Sequence, residues 1–355
     1  MSGLTTPRGA FCMNSDQGTD MAADATLRVR DLTVDFAPAQ RFGTSRPLRA
    51  LDSVSFDIEA GEIVGLVGES GSGKTTLGKT ILGALKPSSG QILYQGHNLA
   101  TLPARRWGQV RRDLQMVFQD PLSSFNPRFT IESSLSLPLR LHGICEKRRI
   151  LDEVAELLKR VGLGSEHARR YPHELSGGQL QRVAVARAIS VKPRIIVADE
   201  PVSKLDVSVR AQVLNLLKRM NRETGVSFVF ITHDLGVARF LCDRIAVMYF
   251  GRIVEIGATQ QIFGGPRHPY TLSLLRARSD TLGAVVTDAD EIRLDIADPA
   301  NACNYAPRCG RRIPACVQQR PPLAAQGGTH AACLVPIPSA QSEHRQPIIP
   351  DPRIV

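Results

Sequence analysis

The chain has 355 residues, 43% hydrophobic and 22% charged, with 44 Lys and Arg against 34 Asp and Glu, a formal net charge of +10 and an isoelectric point near 9.6. That composition excludes wholesale disorder and leaves room for one sizeable α/β domain with an extension, or for two modest domains. No run approaches the roughly 18 continuous apolar residues of a membrane-crossing helix, and the basic charge, spread along the chain instead of blocked, suits a solvated Arg-rich surface as well as nucleic acid, an anionic membrane face or phosphorylated ligands.

In chain order, residues 1–25 carry Thr, Asp, Ser and Gly without the apolar core of a secretory signal. They are expected to form a flexible tail on a cytoplasmic protein. Alternating apolar residues predict half-buried strands over 27–36 and 53–58, separated by a loop over 37–47 with two prolines and a glycine. A buried strand over 62–67 runs into a glycine-rich turn, and helical spacing over 75–85 ends before Pro87. Helical signals recur over 127–161. A strand over 194–198, a helix over 209–220 and a strand over 226–231 follow. Strands alternating with helices imply an α/β fold, a mainly parallel sheet with helices on both faces. Past Phe263 the periodicity fades, so a boundary is expected near 264–266.

Gly68-Glu69-Ser70-Gly71-Ser72-Gly73-Lys74-Thr75, followed by Thr76, fits G-x-x-x-x-G-K-[ST] between a buried strand and a helix. Glycines let backbone N–H groups curl around phosphate oxygens, and the helix points its positive end at the anion. Lys74 is expected to reach the outer phosphates and the Thr75 hydroxyl to bind Mg²⁺. Hydrolysis also needs a carboxylate at a neighbouring strand end. The apolar run 195–198 delivers Asp199 toward Mg²⁺ and Glu200 toward the attacking water. A second glycine turn, Leu175-Ser176-Gly177-Gly178-Gln179, opens another helix but has no lysine. Such a half-site makes sense if it completes a nucleotide site supplied mostly from elsewhere.

Ser176-Gly177-Gly178-Gln179, with the P-loop before it and Asp199-Glu200 after it, resembles the signature of ABC ATPases. The resemblance implies a P-loop NTPase core with an N-terminal antiparallel β subdomain and a helical signature subdomain, together spanning 26–264. A cysteine-containing extension would occupy 265–355. It also implies two ATPase subunits paired head to tail, each signature facing the partner's P-loop across ATP. Gln119 resembles the Q-loop glutamine that touches Mg²⁺ or the water. Asp206 resembles the D-loop aspartate, and His233, directly after a strand, the switch histidine at the γ-phosphate. Phe36 is the expected adenine-stacking residue, with Phe42 the alternative. The D-loop departs from the family's Ser-Ala-Leu-Asp: it reads Ser203-Lys204-Leu205-Asp206, with a long cation where two subunits touch.

Phe118-Gln119-Asp120-Pro121, Ser124-Phe125-Asn126-Pro127-Arg128, Tyr171-Pro172-His173-Glu174 and His268-Pro269-Tyr270-Thr271 resemble the dipeptide/oligopeptide import ATPases. So do the tail residues Cys303, Pro307-Arg308-Cys309, Cys316, His330 and Cys333. In several members of that family the tail cysteines are taken to hold an iron–sulfur cluster. The four thiols here lack the C-x-x-C pairs of common zinc sites and are enough for a 4Fe-4S cluster, with free thiols and zinc as the alternatives. The resemblance further implies two membrane permeases, a periplasmic substrate-binding protein, a second ATPase that is a copy or a paralogue, and a place on the cytoplasmic face of the bacterial inner membrane. Nickel, glutathione, an opine or an antimicrobial peptide are alternative cargoes. A soluble ABC ATPase acting on nucleic acid is the remaining alternative. It is disfavoured by a single P-loop and no sustained heptads, so no nucleic acid is expected as a partner.

Overall fold

The computed structural model describes residues 25–36, 48–279 and 301–338. Residues 1–24 of the tail expected over 1–25, the whole 37–47 loop with Phe42, and residues 280–300 and 339–355 lie outside the described residues.

Strands β1 (Ala25–Phe36) and β2 (Leu48–Glu59) pair antiparallel. They lead into β3 (Ile63–Val67) and helix α1 (Lys74–Ile81). Then follow β4 (Ser89–Tyr94), β5 (His97–Asn98), α2 (Trp107–Asp113) and β6 (Leu114–Val117). Three helices, α3 (Ile131–Leu141), α4 (Ile150–Arg160) and α5 (Gly177–Ile189), pack on one another as a helical subdomain. The chain returns through β7 (Ile195–Asp199), α6 (Val207–Thr224), β8 (Ser227–Thr232), α7 (Leu235–Leu241), β9 (Arg244–Tyr249) and β10 (Arg252–Ala258). Helices α8 (Thr259–Gly264) and α9 (Pro269–Ser279) and the short strands β11 (Ala324–Gln326) and β12 (Thr329–Ala331) complete it.

Two sheets result. The smaller is antiparallel, in the order β2-β1-β4-β5, and the larger runs β11-β12-β10-β9-β3-β8-β7-β6. Within the larger, β6, β7, β8, β3 and β9 are parallel neighbours. Strands β3, β7 and β8 are buried at every position, as apolar runs covered on both faces must be. Alternate residues serve two cores. Ile196, Ala198, Phe228 and Phe230 face the helices α3–α6 with Leu135, Leu157, Val183 and Leu217. Val197, Val229, Ile231 and Met248 face the other way, onto Leu77 and Ile81 of α1 and onto Leu27, Val29, Phe56 and Ile58 of the antiparallel sheet. Helices therefore cover one face, whereas α1 and a second sheet cover the other. Helices thus lie on both faces, as expected, and on the second face α1 shares the cover with the antiparallel sheet. The physical reason is that β1 and β2 present apolar residues on one side and need a partner layer.

β9 and β10 form a hairpin that the periodicity did not separate. Its turn, Phe250-Gly251, has positive φ at both residues (43° and 77°), the geometry of a tight hairpin turn. β10 then accepts β12, so the C-terminal segment rejoins the sheet. Glu255 of β10, fully buried, accepts hydrogen bonds from the backbone N–H of Arg267 (2.7 Å) and His268 (3.0 Å) and from Thr329 Oγ1 (3.2 Å). Burial pushes the His268 imidazole down to about 4, so it is neutral and its Nδ1 accepts from the Tyr270 N–H. Glu255→Ala would leave two buried amides without an acceptor. It is expected to lower the unfolding free energy by about 3 kcal/mol in a urea titration and to expose residues 324–331 to hydrogen exchange first.

Candidate active site

Apart from Phe36, the 176–179 turn and Asp206, the expected nucleotide-site residues follow the C-terminal ends of β3, β6, β7 and β8. Gly68 leaves β3 in close packing: a Cβ there would lie 2.2 Å from the Met248 carbonyl oxygen. Gly73 caps α1 in the left-handed region, φ 100°, with no side-chain cap and no acid in the first turn, which leaves the helix's first N–H groups free for an anion. Lys74 is buried, 5% exposed, and its Nζ donates to Gly68 O (2.8 Å), Glu69 O (2.7 Å) and Ser72 Oγ (3.2 Å). Burial lowers its pKa, while the carboxylates of Glu200, Asp199 and Glu69 oppose that shift.

The next residue reaches the end of β7, two strands over in the sheet: Thr75 Oγ1 donates to Asp199 Oδ1 at 3.1 Å. Burial raises the Asp199 carboxyl above its ordinary value, the Thr75 bond lowers it, and Glu200 adds to the rise. Glu200 leaves β7 in the left-handed region, φ 43°, a costly conformation for a residue with a Cβ. Its backbone N–H is held by Ile231 O (3.0 Å). The carboxylate is gripped on two sides, by Gln119 Nε2 on Oε2 (2.9 Å) and by His233 Nδ1 on Oε1 (3.0 Å). Gln119 also reaches Ser203 Oγ (3.4 Å). A carboxylate held this way is oriented for one task, and His233, 59% exposed, faces the open side. Thr75 and Asp199 form the sparse oxygen pair that suits Mg²⁺.

The second glycine turn is built differently. Ser176 Oγ accepts from Gln179 N (3.3 Å) while Gln179 Oε1 accepts from Ser176 N (3.0 Å), a reciprocal capping box at the start of α5. Gly178 packs on Val209 of α6 and Gly177 near Leu205. Asp206 caps α6 through the Val209 N–H (2.9 Å), which holds its carboxyl below the ordinary value. Among the described residues no hydrogen bond or ion pair joins 176–179 to the P-loop. Lys204 is exposed beside a cavity of about 320 Å³ that Gln119, Asp120, Gly177 and Gln181 also line. Phe36, 38% exposed, ends β1 opposite Leu48.

Comparison with known proteins gives the same picture. A family model for ABC transporters matches residues 51–203, and one for the oligopeptide/dipeptide transporter C-terminal region matches 254–316. A putative peptide import ATP-binding protein of Brucella ovis is 45% identical over 294 residues, 82% of this chain and 93% of that protein. The chain belongs to the dipeptide/oligopeptide family of ABC transporter ATPases. The glutathione import ATP-binding protein GsiA of Escherichia coli O157:H7 is 46% identical over 266 residues, 74% of this chain and 42% of that protein. Among solved structures, an ATP-binding cassette dimer in a post-hydrolysis state with ADP and Pi has a TM-score of 0.59 at 32% identity, covering 66% of this chain and 98% of that one. The cassette cbiO1 of Clostridium perfringens, part of the cbiONQ ABC transporter complex, has 0.59 at 28%, covering 73% and 96%.

The expected ligands Cys303, Cys309, Cys316 and Cys333 of this ABC ATPase lie in the described C-terminal segment, and Cys309 and Cys316 are buried. Burial raises the thiols of Cys303 and Cys309 and pushes Cys333 up to about 11, so they are protonated at neutral pH. Among the described residues no group of three or more His, Cys, Asp and Glu is arranged to hold a metal. The iron–sulfur cluster therefore finds no support in the geometry. The tail's other role escaped the sequence reading altogether. Tyr270 Oη accepts from the Glu69 N–H (3.0 Å), and Arg308 pairs with the Glu69 carboxylate (3.1 Å). No local pattern announces a contact between residues so far apart in sequence.

Gly68→Ala is expected to displace the loop from β9 and to weaken ATP binding by about tenfold or more, because its collision is with backbone that has nowhere to go. A nucleotide titration that matches wild type would show that the loop accommodates a Cβ.

Proposed function

We propose that this ATPase drives a membrane importer of di- and oligopeptides, with Glu200 as the group that polarises the attacking water. The observation that carries the reading is the Glu200 carboxylate held between Gln119 and His233 at the end of β7, with β8 between that strand and the P-loop strand β3. Gly68, Ser70, Gly71, Gly73, Lys74, Thr75 and Thr76 bind the phosphates and Phe36 stacks on adenine. Thr75, Asp199 and Gln119 would hold Mg²⁺, which neutralises charge on the β- and γ-phosphates when bound. Water, its proton accepted by Glu200, attacks the γ-phosphorus. The bond to the β–γ bridging oxygen breaks, ADP leaves, and His233 steadies the γ-phosphate oxygens. Ser176, Gly177, Gly178, Gln179 and Asp206 contribute to the site of a partner ATPase, a second copy or a paralogue.

The partners that fit are two permeases and, beyond them, a periplasmic substrate-binding protein, with the ATPase peripheral on the cytoplasmic side of the inner membrane. Among the described residues no helix is long and apolar enough to cross a membrane. Peptide is favoured as cargo by the relative named for peptide import and by the matched C-terminal region. Glutathione is the second reading, favoured by the relative named for its import. The cysteine segment is assigned a packing role; about four iron and four sulfide per chain in anaerobically purified protein would overturn that assignment.

Glu200→Gln is expected to bind ATP while turnover falls by about 10²-fold or more, and cells carrying it should lose uptake of labelled di- and tripeptides. Undiminished hydrolysis would remove Glu200 from its role, and undiminished uptake would remove the cargo. A pH dependence follows from Asp199. Its raised pKa means that protons compete with Mg²⁺ sooner as pH falls. The dissociation constant for MgATP should therefore begin to rise at a higher pH than an unperturbed aspartate, near 3.9, would give.

A further inference from the structure

Glu69 of the P-loop has contacts that phosphate binding does not use, and they come from the C-terminal segment. Glu69, the residue after the first P-loop glycine, is held at both backbone and side chain. Its N–H donates to the hydroxyl of Tyr270, which is 1% exposed, and its carboxylate receives Arg308 Nη1 at 3.1 and 3.2 Å. Arg308 also hydrogen-bonds the Tyr249 side chain at the end of β9. Tyr249, Tyr270 and Tyr305 pack on one another, with ring centroids 4.5 to 5.4 Å apart. The 301–317 segment is fixed by the Cys303 N–H on Cys316 O (2.9 Å) and by Asn304 Nδ2 on Phe250 O (3.4 Å).

Glu69 is an awkward residue for its place. Its own carbonyl is a Lys74 partner at 2.7 Å, so its carboxylate lies beside the loop that must take a polyanionic triphosphate. Negative charge there opposes the ligand, and a guanidinium bridging both carboxylate oxygens offsets it. We infer that Arg308 is a positioning residue for ATP binding: the C-terminal segment neutralises and orients Glu69 of the P-loop, and the family-specific tail thereby sets nucleotide affinity. This rests on the P-loop's binding ATP, as proposed above.

The test is steady-state ATPase kinetics and equilibrium ATP binding on the full-length chain. Both partners are partly exposed, so the expected effect is moderate. Arg308→Ala should raise KM for ATP about fivefold while kcat stays within about twofold, and Arg308→Lys should recover part of the loss. The decisive variant is Arg308→Ala combined with Glu69→Gln. Removing the uncompensated carboxylate should restore at least half of the lost affinity, which a merely unfolded tail would not allow. A KM unchanged in Arg308→Ala, or a loss that Glu69→Gln fails to relieve, overturns the inference. Wild-type protein without ATP turnover would instead overturn the reading on which it rests.

Discussion

A buried ammonium must be surrounded by oxygen, and much of this fold follows from that need at Lys74. Two of its three partners are backbone carbonyls of Gly68 and Glu69, so the chain leaving β3 has to fold back over the side chain that begins α1. Such a turn leaves no room for a Cβ at Gly68 and demands positive φ at Gly73. It also requires β3 to be interior, flanked in parallel by β8 and β9, so that the turn opens at the sheet edge where parallel strands end. Thr75 then meets Asp199 across the gap to β7, and the carboxylate that follows is set one residue further along.

That local logic explains which parts were legible in sequence. The P-loop and the acid pair at the end of β7 are short motifs on buried strands that spacing identifies, whereas His233 after β8 was singled out by the family resemblance. In the antiparallel sheet β1 and β2 were legible as strands and β4 and β5 were not, nor was the sheet's place over the second face, because alternation says which residues are buried and not against what. The β9–β10 hairpin was hidden by a turn that seats Phe250, not only Gly251, at positive φ. β11 and β12, three residues each, are too short for a period to emerge. Arg308 lies 239 residues from Glu69, and a pairing at that distance has no sequence signature at all.

For the cysteines the family pattern points to a cluster that the geometry of the described residues does not support. Cys303, Cys309 and Cys316 are drawn together by a backbone hydrogen bond and by 3₁₀ turns at Ala306–Arg308 and Pro314–Val317. Burial in that fold raises the thiols of Cys303 and Cys309. What the segment visibly does is seat Tyr305 and Arg308 against β9 and the P-loop. Compact packing of four small apolar thiols serves that purpose without further chemistry.

The two helix N-termini of the site differ in a way that bears on assembly. α1 begins at a glycine with no side-chain cap, and a buried lysine stands beside it, so it can hold an anion with this chain's residues alone. α5 begins at Ser176, whose hydroxyl and partner Gln179 satisfy two of its first N–H donors internally. Its residual attraction for an anion is that of a partly capped dipole without a charged side chain, worth about 1 kcal/mol or less at an exposed end. An interaction so weak cannot recruit a nucleotide, but it can add to one already bound on another surface. ATP held on a P-loop would then join two ATPase subunits in proportion to its own occupancy. Loss of the γ-phosphate would weaken that junction first, because the capped helix has little else to hold.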